Sequence, residues 1–217
     1  MKSAGRNGGG AKDGTSGSGR RGGLRRPRKP PLRIMTTTLW EYPSQHYGNA
    51  IQGTKGYEGA TPSWVVWQLL QRYTRERDVI VDPMVGGGTT IDVCRDLNRE
   101  PRCFDLRPIR DDIQHADARE LPIENESVDF FFVDPPYSTH IDYSDDPRCR
   151  GKLNAGGEDD GAAYYESMGI VIDEAHRVLK NRRYMGLYVS DSFKKGRPFM
   201  PIGFELFAMM RERFKPV

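Results

Sequence analysis

The sequence predicts an α/β fold with a mainly parallel sheet and helices on both of its faces. Short apolar segments alternate with longer amphipathic ones, and several apolar segments end on an acid. The segment Phe130–Val133 is apolar at every position. Alternating strands and helices are typical of a parallel sheet, and a continuously apolar strand is expected where helices cover both sheet faces.

The first helix is predicted over 61–74, because Pro62 suits a helix start and apolar residues recur at helical spacing from Val65. The other predicted elements are strands over 78–82, 102–106, 128–134 and 183–191, a brief strand before Asp117, and helices over 89–98, 163–180 and 201–214. Residues 40–60 and 138–162 have no clear period and are predicted to be loops.

Charge divides the chain into two parts. Residues 1–35 contain ten Lys and Arg and one Asp (+9), whereas the whole chain carries +3 and the remainder therefore −6. The first segment is rich in Gly, Ser, Pro and Arg and cannot bury enough apolar surface to offset its ordering entropy. We predict a disordered basic arm over 1–38, which attracts nucleic acid, and one folded domain over 39–217. The alternative is a leader segment, with Met35 as the true start.

Composition excludes several classes of protein. The chain has no apolar run of about 18 residues and no apolar secretory signal, so a membrane span or export is not expected. Its three cysteines, Cys94, Cys103 and Cys149, form no Cys-x-x-Cys pair. We predict a cytoplasmic protein with reduced thiols, no membrane contact and no metal site.

Four acids stand at or just after the predicted strand ends: Asp82, Asp105, Asp117 and Asp134. The carboxyl ends of parallel strands meet at one edge of a sheet, and ligands bind there. We therefore expect a binding site lined by these acids. Acids also end strands as turn formers, and this alternative is stronger for one acid than for four in register.

Three adjacent glycines, Gly86, Gly87 and Gly88, follow the first strand. Such a turn lets backbone approach a ligand, and the next helix offers free N–H groups. It lacks the lysine of a phosphate loop and the third glycine of the dinucleotide pattern. It suits a ligand that joins a cationic amino-acid group to an adenosine. Asp105 then suits the ribose hydroxyls, and Asp117 suits an adenine amino group. The alternative is a plain tight turn.

The residues Asp134-Pro135-Pro136-Tyr137 form a stiff corner, because the prolines restrict their own backbone and that of the residue before them. The corner points one carboxylate and one backbone carbonyl the same way, beside an aromatic face. Two acceptors and a stacking face match an exocyclic amino group on a planar base. The alternative is an ordinary Pro-Pro turn.

Together the two motifs resemble those of the amino-methylating, S-adenosylmethionine-dependent DNA methyltransferases of the adenine-N6 and cytosine-N4 types. DPMVGGGTT at 82–90 is similar to the family's Asp-Pro-Phe-x-Gly-Ser-Gly-Thr-Thr cofactor motif, and DPPY at 134–137 is similar to its catalytic motif. GYEGATPSWVVWQLL at 56–70 resembles the segment that helps enclose the methionine end of the cofactor. The resemblance covers 39–217 and implies a Rossmann-like methyltransferase fold. It also implies that the protein comes from a bacterium, an archaeon or a phage. Met84 and Gly87 replace the usual Phe and Ser, and we expect Gly87 to weaken cofactor binding.

The resemblance also implies roles for individual residues. The residues expected to bind S-adenosylmethionine are Asp82, Pro83, Gly86, Gly87, Gly88, Thr89 and Thr90 at its methionine part, Asp105 at the ribose, and Asp117 and Ala118 at the adenine. Phe104 packs either on the adenine ring or in the core. Asp134, Pro135, Pro136 and Tyr137 form the catalytic corner: Tyr137 stacks on a flipped base, and Asp134 and the Pro135 carbonyl accept hydrogen bonds from its amino group. Transfer is then in-line, without a covalent enzyme intermediate.

The family's sheet ends in an antiparallel two-strand hairpin, and the sequence stops where the next strand would begin. We expect a C-terminally truncated catalytic domain with an exposed sheet edge, low solubility or a partner subunit that supplies target recognition. The loop after the corner is interpreted as a lid over the base pocket or as a solvated acidic loop. Its polar residues are His140, Asp142, Tyr143, Asp145 and Asp146.

These observations predict a DNA methyltransferase of restriction–modification type. Adenine-N6 is favoured over cytosine-N4 because the corner begins with Asp134, where the cytosine type more often has Ser. One alternative is an RNA base-amino methyltransferase acting on guanine-N2 or adenine-N6. Another is a non-catalytic nucleic-acid-binding subunit with the same fold.

Overall fold

The computed structural model describes residues 31–34, 40–137, 145–153, 155–156, 161–193 and 199–217. Within these residues the sheet has five strands, all parallel, in the spatial order β3-β2-β1-β4-β5. The strands are β1 (Val79–Asp82), β2 (Glu100–Asp105), β3 (Gln114–His115), β4 (Val128–Val133) and β5 (Leu179–Leu187). The strand order reverses between β1 and β4, so a crevice forms at the carboxyl ends of these two strands.

The described residues contain four α-helices: α1 (Ser63–Tyr73), α2 (Thr89–Asp96), α3 (Ala162–Val178) and α4 (Ile202–Met210). A short 3₁₀ helix spans Arg150–Lys152. Pro62 occupies the cap position before α1 with φ −62° and an extended ψ, in agreement with the predicted helix start. No helix among the described residues is long and apolar enough to cross a membrane.

Helices cover both faces of the sheet, as predicted. Along β4, Phe130 and Phe132 pack with residues of α1 and α2, whereas Phe131 packs on the opposite face with Ala175 and Val178 of α3. Successive side chains of a strand point to opposite faces, so all six residues of β4 are buried. This double burial explains the continuously apolar run and confirms the α/β fold class.

The start of β5 differs from the prediction. The helix was expected to reach residue 180 and the strand to begin at 183, whereas β5 begins at Leu179, directly after α3. The pairing of β4 with β5 shifts between Val128↔Leu179 and Phe130↔Tyr184, so extra residues bulge from β5.

The bulge brings two cations to a buried acid. Lys180 Nζ lies 2.9 Å and Arg183 Nη2 3.0 Å from carboxylate oxygens of Asp129, whose side chain is 5% exposed. A buried carboxylate is costly without such partners. Residues 179–180 fit the helical pattern in the sequence, but this ion pairing favours their place in β5.

Residues 31–34 were assigned to the basic arm, and part of this stretch contacts α1. The backbone N–H of Arg33 donates to Oε1 of Gln68 at 2.7 Å, and Nε2 of Gln68 donates to the carbonyl of Pro31 at 2.9 Å. The other residues of the predicted arm, 1–30 and 35–38, lie outside the described residues. Arm and domain boundaries therefore stay predictions.

Candidate active site

A cavity of about 690 Å³ lies at the carboxyl ends of β1, β2 and β4. Its wall contains ten of the residues predicted for the site: Pro83, Gly86, Gly87, Asp105, Asp117, Ala118, Asp134, Pro135, Pro136 and Tyr137. The glycine turn and the proline corner therefore share one cavity. The reason is topological, because β1 and β4 are hydrogen-bonded neighbours although β2 and β3 separate them in sequence.

Four predicted site residues stand behind the wall instead of in it: Asp82, Gly88, Thr89 and Thr90. Asp82 is 2% exposed, and its two carboxylate oxygens accept hydrogen bonds from the Thr90 hydroxyl at 2.6 Å and the Met84 N–H at 3.1 Å. Burial raises the pKa of this carboxyl to about 7. Asp82 thus braces the turn from inside the protein.

The glycine turn needs its glycines for two reasons. Gly86 and Gly88 have φ of 50° and 86°, in the left-handed region that favours glycine. The φ of Gly87 lies outside the left-handed region, but a Cβ there would lie 3.0 Å from Cγ of Tyr57. The Gly87 carbonyl also accepts the Thr54 N–H at 2.7 Å, so the segment around Tyr57 is fastened to the turn.

Tyr57 lines the cavity, and its role as an individual residue was missed in the sequence. It lies in an aperiodic, glycine-rich segment whose only signal was the resemblance of 56–70 to a cofactor-enclosing segment. A side-chain contact across about 30 residues has no local signature.

The second carboxylate of the site, Asp105, supports the turn as well as lining the cavity. Its Oδ2 accepts the Gly86 N–H at 3.0 Å and its Oδ1 accepts the Arg107 N–H at 2.8 Å. Burial raises the pKa of this carboxyl. Phe104, beside it, is 1% exposed and belongs to the core cluster with Val81, so the core alternative is the correct one for its side chain.

Asp117 lines the cavity with its carboxylate already engaged. Nε of Arg119 lies 3.0 Å from Oδ1 and Nη2 lies 2.7 Å from Oδ2, a two-point ion pair. Such a pair fixes the carboxylate plane. A bound amino group would have to use the remaining lone pairs of these oxygens.

The proline corner presents Asp134 and the ring of Tyr137 to the cavity. Oδ2 of Asp134 accepts a 2.7 Å hydrogen bond from the hydroxyl of Thr61, a residue that also lines the wall. Burial raises the pKa of the Asp134 carboxyl to about 7, although the bond from Thr61 acts in the lowering direction. The Tyr137 hydroxyl lies 3.3 Å from Oγ of Ser190.

One side of the cavity rim comes from the segment after β5, which sequence reasoning did not assign to the site. Asp191, Ser192 and Phe193 line the cavity, and Phe193 is 74% exposed. Ser192 and Met200 exchange two backbone hydrogen bonds of 3.1 and 2.9 Å. Exposed aromatic residues near a strand end have no periodic pattern that would mark them.

The predicted lid falls mostly outside the described residues, which exclude His140, Asp142 and Tyr143. Of its other members, Asp146 pairs with Arg148 at 2.6 Å. Within the described part of the chain, no three His, Cys, Asp or Glu side chains are grouped to hold a metal ion. The three cysteines are buried free thiols.

Residues 14–112 match the family model described as DNA methylase, of the N6/N4 methyltransferase type. This match covers less than half of the chain and indicates similarity to the DNA amino-methyltransferases. It includes the glycine turn and ends before Asp134. With the fold, it supports an S-adenosylmethionine-dependent methyltransferase, and S-adenosylmethionine is accordingly the cofactor. No curated protein sequence matches the chain.

Solved structures match the chain at low similarity. TrmN from Thermus thermophilus is 17% identical over 73% of this chain and 43% of its own, with a TM-score of 0.47. The PH0226 protein from Pyrococcus horikoshii OT3 is 15% identical over 66% and 76%, with a TM-score of 0.46. Geranyl diphosphate C-methyltransferase from Streptomyces coelicolor is 13% identical over 70% and 57%, also at 0.46. The chain spans less than half the length of the Thermus protein.

The cavity wall has the chemistry that this cofactor requires. The ring of Tyr57 lies against the backbone of Gly86 and Gly87, and an added Cβ at either residue would meet that ring. Asp105 and Asp117 supply acceptors for hydroxyl and amino groups, and Ala118 and Leu106 supply apolar surface. The residues present therefore fit a ligand with a cationic amino-acid end and an adenosine end.

Proposed function

We propose that this chain transfers a methyl group from S-adenosylmethionine to the exocyclic amino group of a flipped base in DNA, with adenine-N6 favoured over cytosine-N4. One observation carries the proposal: the glycine turn after β1 and the Asp134–Tyr137 corner after β4 line the same cavity. A transfer between two bound molecules needs both held in one enclosure with their reacting atoms aligned.

At the cofactor end, the glycine turn and Pro83 surround the methionine part, with Asp82, Gly88, Thr89 and Thr90 bracing them from behind. Asp105 accepts from the ribose hydroxyls, and Asp117 and Ala118 meet the adenine. When bound, S-adenosylmethionine supplies an electrophilic methyl group on a sulfonium. The acids of the wall give the site a negative field that suits this cation.

At the other end, the target base stacks on Tyr137. Asp134 and the Pro135 carbonyl accept hydrogen bonds from the base amino group, and these bonds direct the nitrogen lone pair toward the methyl group. Pro135 and Pro136 keep the two acceptors fixed, so that little reorganisation is needed in the transition state. No cysteine nucleophile is required.

The base must leave a helical stack to enter the cavity. Phe193 stands at the rim with most of its ring exposed, and we assign it a stacking contact with the nucleic acid. Residues beyond the basic arm carry a net charge of −6, so we assign backbone attraction to the arm over 1–38 or to a partner subunit. The folded domain is taken as 39–217, in a cytoplasmic setting.

An RNA base amino group is the alternative acceptor, because Asp134, Pro135 and Tyr137 recognise a base without reading its sugar.

The experiment is expression in a bacterium free of DNA methylation, followed by single-molecule sequencing for N6-methyladenine and N4-methylcytosine. Asp134→Ala should abolish any signal, and a signal that survives would overturn the role of the corner. Methylated RNA from the same cells, with unmodified DNA, would favour the alternative.

A further inference from the structure

Thr61 and Asp134 are 73 residues apart in sequence and meet in the cavity wall. The Thr61 hydroxyl donates to Oδ2 of Asp134 at 2.7 Å. Among the described residues, Thr61 is the one hydrogen-bond donor to this carboxylate, and Oδ1 has no donor. The two oxygens of the Asp134 carboxylate therefore have different hydrogen-bond environments.

We propose that Thr61 is a positioning residue for Asp134: it holds Oδ2 and so aims Oδ1 at the amino group of the incoming base. This inference rests on the proposed function of the corner. A carboxylate held by one oxygen has a restricted side-chain rotation and loses less conformational freedom when its second oxygen binds substrate. The hydroxyl itself does not touch the reacting atoms.

Thr61 is suited to this task because its backbone is fixed on both sides. Nε2 of Gln45 donates to the Ala60 carbonyl at 2.6 Å, and the Gln45 carbonyl accepts the Ser63 N–H at 3.0 Å. Pro62 restricts the backbone between them. A β-branched side chain on such a frame has few rotamers, so the hydroxyl position is well defined.

The contact also opposes the effect of burial on charge. Burial favours the neutral form of Asp134, whereas a donated hydrogen bond favours the carboxylate, which is the better acceptor. Among the residues that the structure describes, the other ionisable groups near it are Asp82 in β1, Tyr137, Tyr164 in α3 and Tyr188. None of these described groups is a cation, so none of them could replace the Thr61 hydroxyl in stabilising the carboxylate.

The test compares Thr61→Val, Thr61→Ser and wild type in the full chain. Carbon-13 NMR follows the Asp134 carboxyl through a pH titration, with Asp134→Asn to assign the signal. We expect Thr61→Val to raise the titration midpoint by about one pH unit, since a hydrogen bond to a charged group is lost, and Thr61→Ser to keep it near wild type. Thr74→Val is the control, because it deletes a hydroxyl at the other end of α1.

The second measurement is the rate of methyl transfer against pH. Thr61→Val should move the acid limb to higher pH and lower kcat about tenfold at pH 7, and the change in affinity for S-adenosylhomocysteine should be smaller than the change in kcat. An unmoved Asp134 midpoint in a folded Thr61→Val protein would overturn the positioning role. If Thr61→Val does not melt cooperatively, Thr61→Ala is measured in its place. A wild-type chain that transfers no methyl group, but whose midpoint moves in Thr61→Val, supports the contact and overturns the proposed function.

Discussion

The ring of Tyr57 lies against the backbone of Gly87, so that a Cβ at Gly87 would stand 3.0 Å from Tyr57 Cγ and 3.1 Å from its Cβ. Gly87 stands where the resembling family has Ser. Its φ lies outside the left-handed region, so the tyrosine is the reason for its small size. A serine side chain at position 87 would therefore have to displace the Tyr57 ring.

Gly87→Ser should therefore destabilise the protein and weaken cofactor binding, although serine is the usual family residue. Overpacking of this kind costs about 1–3 kcal/mol. In the double variant with Tyr57→Ala, the serine should cost much less, which a double-mutant cycle of melting temperature and S-adenosylhomocysteine affinity measures. Tighter binding in Gly87→Ser alone would instead show that the missing hydroxyl is the dominant effect.

The buried carboxyl of Asp134 should make stability depend on pH. Its folded pKa of about 7 lies above the ordinary value of 3.8, so folding favours the protonated form. This contribution is full below about pH 4 and is lost as pH rises through about 7. The free energy of unfolding of Asp134→Asn should hence exceed that of wild type by a larger margin at pH 8 than at pH 5, with a difference of about 1–4 kcal/mol between the two margins.

Differential scanning calorimetry at the two pH values measures this difference in stability between Asp134→Asn and wild type. Asp82 has a similarly raised pKa, so part of the pH dependence should persist in Asp134→Asn. An equal stability difference between Asp134→Asn and wild type at pH 5 and pH 8 would contradict the assignment of the pH dependence to Asp134. The variant should be more stable and inactive, as expected of a residue kept for function.

Asp105 should contribute to cofactor affinity in two ways, by accepting from the ribose and by holding the Gly86 N–H. We expect Asp105→Ala to weaken S-adenosylhomocysteine binding by about 1–3 kcal/mol, measured by isothermal titration calorimetry. Asp173→Ala is a matched control, since Asp173 is 54% exposed on α3 and pairs with Arg213. Equal affinities of the two variants would remove Asp105 from the cofactor site.

Phe193→Ala should weaken binding of single-stranded DNA by about 1–3 kcal/mol, the contribution of one stacked base. Phe204→Ala serves as the control: Phe204 is 70% exposed on α4 and lies outside the cavity wall, whereas Phe193 is 74% exposed and lines it. Fluorescence anisotropy with a labelled oligonucleotide compares them. Similar losses in both variants would indicate unspecific contact with exposed rings.

Much of the fold could be predicted because its signals are local. The apolar run at Phe130–Val133 reports burial on two faces, and Pro62 marks a helix start. The structure confirms both. The start of β5 could not be predicted, since it depends on Asp129 attracting Lys180 and Arg183 across the sheet.

The site residues also divide into those with a local signal in the sequence and those that depend on contacts between distant segments. Asp105, Asp117 and Asp134 line the cavity as expected from their positions after strands. Asp82 holds an equivalent position in sequence but is turned inward, because the Thr90 hydroxyl and the Met84 N–H capture its oxygens. Tyr57, Thr61 and Phe193 enter through contacts between distant segments, which residue spacing does not encode.

The parallel pairing of β1 with β4 has a consequence for the order of motifs along a chain. Ile80 faces Phe130 and Val81 faces Phe131 in this pairing, whatever the path that joins the two strands. A circularly permuted chain that began at β4 would carry the proline corner before the glycine turn and still rebuild the same cavity wall. The linear order of the two motifs is thus free to vary in evolution, while their neighbourhood in space is not.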